Sequence, residues 1–148
     1  MKKILIVEDD QHICLALAIR LRSNGYVVCV AHDAVAGAKA AEEERPDLLL
    51  LDISMPGGSG FTVAEHVQKI TAAARIPVIF ITASKQAIFR VKALGLHAAA
   101  FFDKPLDSEA LLAAIREALD PTSQQSPAPP SSTPRVFHHL PDPTVRTL

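Results

Sequence analysis

The amino-acid sequence predicts an α/β domain organised on a parallel sheet with helices on both faces. Three observations carry this. Short and almost wholly apolar runs recur along the chain, Leu48-Leu49-Leu50-Leu51 foremost, with the uninterrupted character of strands buried on both sides. Helix-length segments with end signals alternate with those runs. The connections between them are short, which calls for right-handed βαβ crossovers.

Taken in order, Lys3 to Val7 is a β-branched first strand closed by the acidic triplet Glu8-Asp9-Asp10. Gln11 to Ser23 reads as a helix carrying Ile13, Leu15, Leu17, Ile19 and Leu21, and it ends at Asn24-Gly25, a pair suited to a helix C-terminus. Tyr26 to Ala31 is a valine-rich second strand. Ala34 to Glu44, rich in alanine and glutamate, is a helix halted before Pro46. Leu48 to Asp52 is the third strand, and its first polar residue is Asp52. The Pro56-Gly57-Gly58 turn just beyond takes the chain off the sheet. Phe61 to Ile70 supplies a helix, and Pro77 to Ile81 a fourth strand that ends at Thr82-Ala83-Ser84. Gln86 to Leu94 is expected to be helical and capped by Gly95, and Ala98 to Phe102 is a short fifth strand. Ser108 to Leu119 is the last helix, with Leu111, Leu112, Ile115 and Leu119 as its apolar face.

Composition narrows the class. The chain has 148 residues, 49% hydrophobic and 21% charged, which suits one soluble domain with a real core. A formal net charge of -1 without a basic stripe argues against direct nucleic-acid binding. Met1-Lys2-Lys3 followed by four apolar residues is too short for a signal peptide, and no stretch is long enough to span a membrane. Cys14 and Cys29 lack metal-type spacing and read as small buried hydrophobes, consistent with a reducing, cytoplasmic setting. The six histidines show no ligand spacing either.

Beyond Asp120 the character changes. Seven of the 11 prolines fall in 121–143 among Ser, Thr and Gln, so residues 121–148 are expected to be a disordered tail with no second folded domain. Pro127-Ala128-Pro129-Pro130 is a minimal PxxP match of the kind such composition produces by chance.

Chemistry gathers at the strand ends, where open α/β sheets bind ligands. Glu8-Asp9-Asp10 follows the first strand, Asp52 closes the third, Thr82 the fourth, and Lys104 follows the fifth. Each alone is ordinary: an acidic turn that caps a helix, a loop cap, a strand-end hydroxyl, a surface lysine. If the first and third strands are neighbours, several carboxylates converge without a cation, an arrangement that hard divalent metals such as Mg²⁺ neutralise. A hydroxyl from Thr82 and an ammonium from Lys104 complete a phosphate-sized pocket around Asp52, a candidate carboxylate nucleophile.

Val7-Glu8-Asp9-Asp10, Leu48 to Gly60, Val78 to Ala83 and Phe102-Asp103-Lys104-Pro105 together resemble the signatures of bacterial response-regulator receiver domains, over about residues 1–120. The resemblance implies a flavodoxin-like, CheY-like (βα)5 doubly wound parallel sheet with strand order 2-1-3-4-5. It implies Asp52 as phosphoacceptor, Asp9 as a direct Mg²⁺ ligand, Glu8 as a metal-site acid acting through water, and the Ser54 backbone carbonyl as a further ligand. Thr82 and Lys104 match the family's hydroxyl and lysine, Lys104-Pro105 its cis peptide, and Phe101 its aromatic switch position, where tyrosine is frequent. Ser54 and Ser84 stand where relatives tune acyl-phosphate lifetime. The Pro-Gly-Gly-Ser-Gly run after Met55 departs from the acidic or bulkier residues that relatives often carry.

The implied function is that of a stand-alone response regulator in two-component phosphorelay signalling. A sensor histidine kinase or histidine phosphotransfer protein is the expected donor, and the chain catalyses only its own phosphorylation and dephosphorylation. A downstream effector protein is expected on the face from Gln86 to Leu119, with Phe89, Arg90 and Lys92 as contact candidates, and phosphorylation-dependent homodimerisation is left open. An aspartyl-phosphate phosphatase of the haloacid-dehalogenase type is the alternative enzyme reading, but it wants a second aspartate where Ser54 stands. A flavin-binding module fits poorly with Glu8-Asp9-Asp10 near its phosphate. A phosphorylation-independent scaffold is opposed by intact Asp52, Thr82 and Lys104.

Overall fold

The computed structural model describes residues 1–55, 58–70, 75–84 and 86–120; the tail 121–148, with its PxxP match, and the Pro56-Gly57 step lie outside them. In chain order these residues form β1 (Lys3–Val7), α1 (Gln11–Ser23), β2 (Val27–Ala31), α2 (Ala34–Glu44), β3 (Leu48–Asp52), β4 (Ser54–Met55) and β5 (Gly58–Ser59). There follow α3 (Gly60–Ile70), β6 (Val78–Thr82), α4 (Ala87–Gly95), β7 (Ala100–Asp103) and α5 (Ser108–Leu119). The main sheet is parallel, ordered β2-β1-β3-β6-β7, and β4 and β5 form a small antiparallel ladder beside it. With that ladder set aside, the order is the expected 2-1-3-4-5 of a doubly wound (βα)5 fold.

Strand pleating divides the core in two. Leu48 and Leu50 pack with Ile4, Ile6, Ile79, Ile81 and Phe102 toward α1 and α5, whereas Leu49 and Leu51 pack with Leu5, Val7, Phe80 and Phe101 toward α2, α3 and α4. Every residue of β3 and β6 is buried. This is why those strands read as unbroken apolar runs: both faces need a hydrophobic partner, and each such side chain contributes about 1.5–3 kcal/mol by leaving water.

Helix ends follow local chemistry. The Asp10 carboxylate accepts from the His12 and Ile13 amides and starts α1, and Asp33 and Asp107 do the same for α2 and α5. Gly25, with φ of 90°, leads out of α1 as its Asn-Gly signal predicts. On α1 the buried stripe is Cys14, Leu17, Ala18 and Leu21, at helical spacing, while Leu15 and Ile19 point outward and are each 58% exposed. One expectation, the cap of α4, is corrected. Gly95 belongs to the last turn, and the left-handed residue that follows is His97, with φ of 58°. Cys14 is buried and Cys29 half-buried, both are free thiols, and burial raises both above the usual thiol pKa. Among the described residues no helix is long and apolar enough to cross a membrane.

Candidate functional site at the carboxyl edge of the sheet

The register of β1 with β3 and of β3 with β6 brings the ends of three neighbouring strands side by side. Glu8 follows β1 on the same side of the pleat as Ile6, and Asp52 closes β3 on the same side as Leu50. Glu8 is fully buried and Asp52 is 3% exposed. Lys104, one residue past β7, reaches back between them: its Nζ lies 2.7 Å from Glu8 Oε1 and 3.5 Å from Asp52 Oδ2. The shorter contact is an ion pair between a buried carboxylate and a largely buried ammonium. Glu8 Oε2 accepts from the Asp10 amide at 3.0 Å, and Asp52 Oδ1 from the Ser54 amide at 3.3 Å. Asp9 is exposed, and its carboxylate lies within 4.8 Å of those of Glu8 and Asp52.

Three carboxylates thus face one ammonium. Burial first, and the Glu8 charge second, push the Asp52 carboxyl up to about 7 against the opposing pull of Lys104. For Lys104 burial works in the lowering direction, but Glu8 and Asp52 outweigh it and raise the ammonium pKa. An excess of oxygen anions over cations, with no soft ligand among them, suits a hard divalent cation. Mg²⁺ binds through one or two carboxylates while keeping water, so it fits this donor set.

Thr82 lies on the opposite side of the pleat, is fully buried, and accepts from the Ser84 amide at 3.0 Å through its hydroxyl. The Lys104 amide donates to the Thr82 carbonyl at 2.8 Å, tying these two strand ends together. Phe101 is 1% exposed and faces α4, and Phe102, also buried, faces α5. Lys104-Pro105 is cis. Of the residues singled out in the sequence, Lys104 contacts Glu8 and Asp52, Asp9 lies within 4.8 Å of those two carboxylates, Ser54 touches Asp52 through its amide, and Thr82 and Phe101 form the adjoining layer.

Two features escaped sequence reading. A Cβ at Gly60 would stand 2.5 Å from the Asp52 carbonyl oxygen, so this glycine lets α3 begin against the backbone of Asp52. Its only signal was a place in a glycine-rich run. Arg90, expected as a surface contact, is instead 4% exposed; its Nη2 donates to Asp103 Oδ2 at 2.7 Å and its guanidinium lies 5.4 Å from the Phe101 ring centroid. An arginine faces inward here because Asp103 and an aromatic face compensate its charge. Phe89 is half-buried against Phe61, with ring centroids 5.8 Å apart, and Lys92 alone of the three is well exposed.

The sequence pattern of the response regulator receiver domain matches residues 4–116. Protein PilH of Pseudomonas aeruginosa is 34% identical over 119 residues, covering 80% of this chain and 98% of its own length. The DNA-binding dual master transcriptional regulator RpaA of Synechocystis is 35% identical over 84% of this chain but only 52% of its own length. Several other curated relatives are transcriptional regulators of which this chain likewise spans about half. Among solved structures, a CheY-like receiver domain protein from Methanospirillum hungatei superimposes with a TM-score of 0.78 at 31% identity, covering 85% of this chain and 99% of that one. The response regulator TrrA of Thermotoga maritima, solved in complex with Mg²⁺-BeF, superimposes with a TM-score of 0.71 at 28% identity, covering 80% of this chain and 100% of that one.

Proposed function

The chain belongs to the response regulator receiver domain family of two-component signalling, and on that premise we propose that it accepts a phosphoryl group on Asp52 from a phosphohistidine of a sensor kinase or phosphotransfer protein, with Mg²⁺ required. The observation that carries this reading is the cluster itself: Glu8, Asp9 and Asp52 within 4.8 Å, with Lys104 beside two of them. When bound, Mg²⁺ supplies positive charge shared by the carboxylates and the incoming phosphoryl oxygens. Glu8, Asp9 and Asp52 would hold it, with the Ser54 carbonyl as a further donor.

A carboxylate oxygen of Asp52 attacks phosphorus, the bond to the donor imidazole nitrogen breaks, and an acyl phosphate forms while the imidazole leaves with its electron pair and takes up a proton. Lys104 shifts from Glu8 toward the transferred group and neutralises one of its oxygens. Thr82 turns its hydroxyl to donate to another. Catalysis in this scheme is positioning and charge neutralisation, the contributions a loose phosphoryl transition state demands. The turnover is confined to Asp52 of the chain itself.

The consequent shift of Thr82, with Phe101 beneath α4, alters the face from Gln86 to Leu119, where a downstream protein or a second copy binds. Among the described side chains of α4, Ile88, Lys92 and Leu94 are exposed and available for contact. Intact mass after incubation with Mg²⁺ and a small acyl phosphate is the test. One hydroxylamine-labile phosphoryl group is expected on the wild type, and none on Asp52→Asn or with a chelator. Absence of that mass on folded wild-type protein in Mg²⁺ overturns the reading, and donor turnover without accumulation reopens the phosphatase alternative.

A further inference from the structure

We infer that Arg90 is a positioning residue that ties α4 to the strand end carrying Lys104, through an ion pair with two arrangements. The inference deepens the phosphoryl-acceptor reading and rests on it. Among the described residues the buried polar side chains are Glu8, Asp52, Thr82 and Arg90. The first three lie at strand ends in the site; Arg90 comes from a helix, and it pairs with Asp103, the residue directly before Lys104.

The pair is made with half its capacity. Arg90 Nη2 donates to Asp103 Oδ2 at 2.7 Å, whereas Arg90 Nε and Asp103 Oδ1 are both buried without a hydrogen-bond partner. The two orphans are a donor on one partner and an acceptor on the other. Arginine and carboxylate reach their strongest form as a two-pronged fork, which uses those two atoms. A single-pronged buried pair leaves both orphans desolvated, so the fork is the better state whenever Asp103 can reach it.

Asp103 is coupled to Lys104 through the backbone. The two are consecutive, and the Lys104 amide is held by the Thr82 carbonyl. With Lys104 drawn to Glu8, the pair is single-pronged. When Lys104 and Thr82 shift toward a phosphoryl group, Asp103 turns with them and the Nε–H to Oδ1 bond closes. Because the guanidinium also covers Phe101, closing the fork repositions α4 on that ring, and the change emerges at Ile88, which is 61% exposed on the same helix. This supplies the two-state element that any coupling between site and surface requires.

The experiment is a titration of the 148-residue chain with Mg²⁺ and beryllium fluoride, an acyl-phosphate mimic, followed by NMR at the Lys104 amide, the Arg90 Nε–H and the Ile88 methyl. In the wild type all three resonances are expected to move with one midpoint, and Arg90 Nε–H exchange with solvent slows. Arg90→Lys keeps the charge but cannot form the fork, and Asp103→Asn keeps the shape but weakens it. In both, the Lys104 amide still responds while most of the Ile88 displacement is lost. A full Ile88 response in both folded variants, or an unmoved Arg90 Nε–H in wild type whose Lys104 amide does respond, overturns the inference. No response at Lys104 in folded wild type overturns the acceptor reading, and this inference with it.

Discussion

Two charged clusters sit on opposite sides of the pleat at the carboxyl edge of one sheet, and they are balanced differently. Toward α1 and α5, Glu8, Asp9 and Asp52 outnumber Lys104, and burial pushes Asp52 up to about 7. Toward α4, Arg90 and Asp103 are one charge against one, set over the Phe101 ring. The first cluster has unspent negative charge and is completed by something from outside the chain. The second is neutral as it stands, and its unsatisfied atoms can satisfy one another. A ligand site and a coupling element therefore differ in whether their charge closes within the protein.

Removing the one cation from the acidic cluster breaks that comparison most severely. Lys104→Met leaves Glu8 and Asp52 buried without a counter-charge, at a cost of roughly 3 kcal/mol in metal-free buffer. Urea unfolding should show Mg²⁺ restoring more stability to this variant than to the wild type, because the ion binds only the folded state. An equal Mg²⁺ effect on both would mean that Lys104 does not share the metal's electrostatic task.

The pH dependence sharpens the same side. Asp52 in the folded protein keeps its proton to about 7, whereas the unfolded chain loses it near 3.8. Between those values the folded state binds more protons, so this group's contribution to stability is full below 3.8 and is lost as pH rises through about 7. Asp52→Asn removes that loss. Its melting temperature in chelator should exceed the wild type's by several degrees at pH 8 and by much less at pH 5, and Mg²⁺ should shrink the gap.

The neutral cluster should be more forgiving. Arg90→Met strands Asp103, but that side chain is 17% exposed and can recruit water, so the cost is about 1–2 kcal/mol. Adding Asp103→Asn should recover most of it, as a double-mutant cycle by urea unfolding would show. The smallest effect lies in neither cluster. His97 holds a left-handed φ of 58° where glycine is at ease, so His97→Gly should stabilise the fold by about 0.5–1 kcal/mol and leave Mg²⁺ affinity unchanged.

The acidic cluster was largely legible before any coordinates, and the neutral one was not. Glu8, Asp9, Asp52 and Lys104 each stand where a strand ends, and strand ends can be read from where an apolar run stops. Arg90 offered no such cue. On a helix, inward and outward positions are separated by only a residue or two, and α4 shows Arg90 buried while its apolar neighbour Ile88 is 61% exposed. The same ambiguity holds on α1, where the apolar residues Leu15 and Ile19 are exposed while Leu17 and Leu21 are buried.

The sequence by itself determined the parallel α/β fold, its strand order through family resemblance, and the set of polar residues at the carboxyl edge. These depend on composition along short stretches, where burial on two faces leaves only apolar residues until the strand stops. Tertiary structure alone decided that Lys104 leans on Glu8 more closely than on Asp52, that Gly60 must lack a side chain to clear the Asp52 backbone, and that Arg90 turns inward to Asp103. Each of those is a contact between residues distant in the chain, and its sign is set by distances and burial that no local pattern encodes.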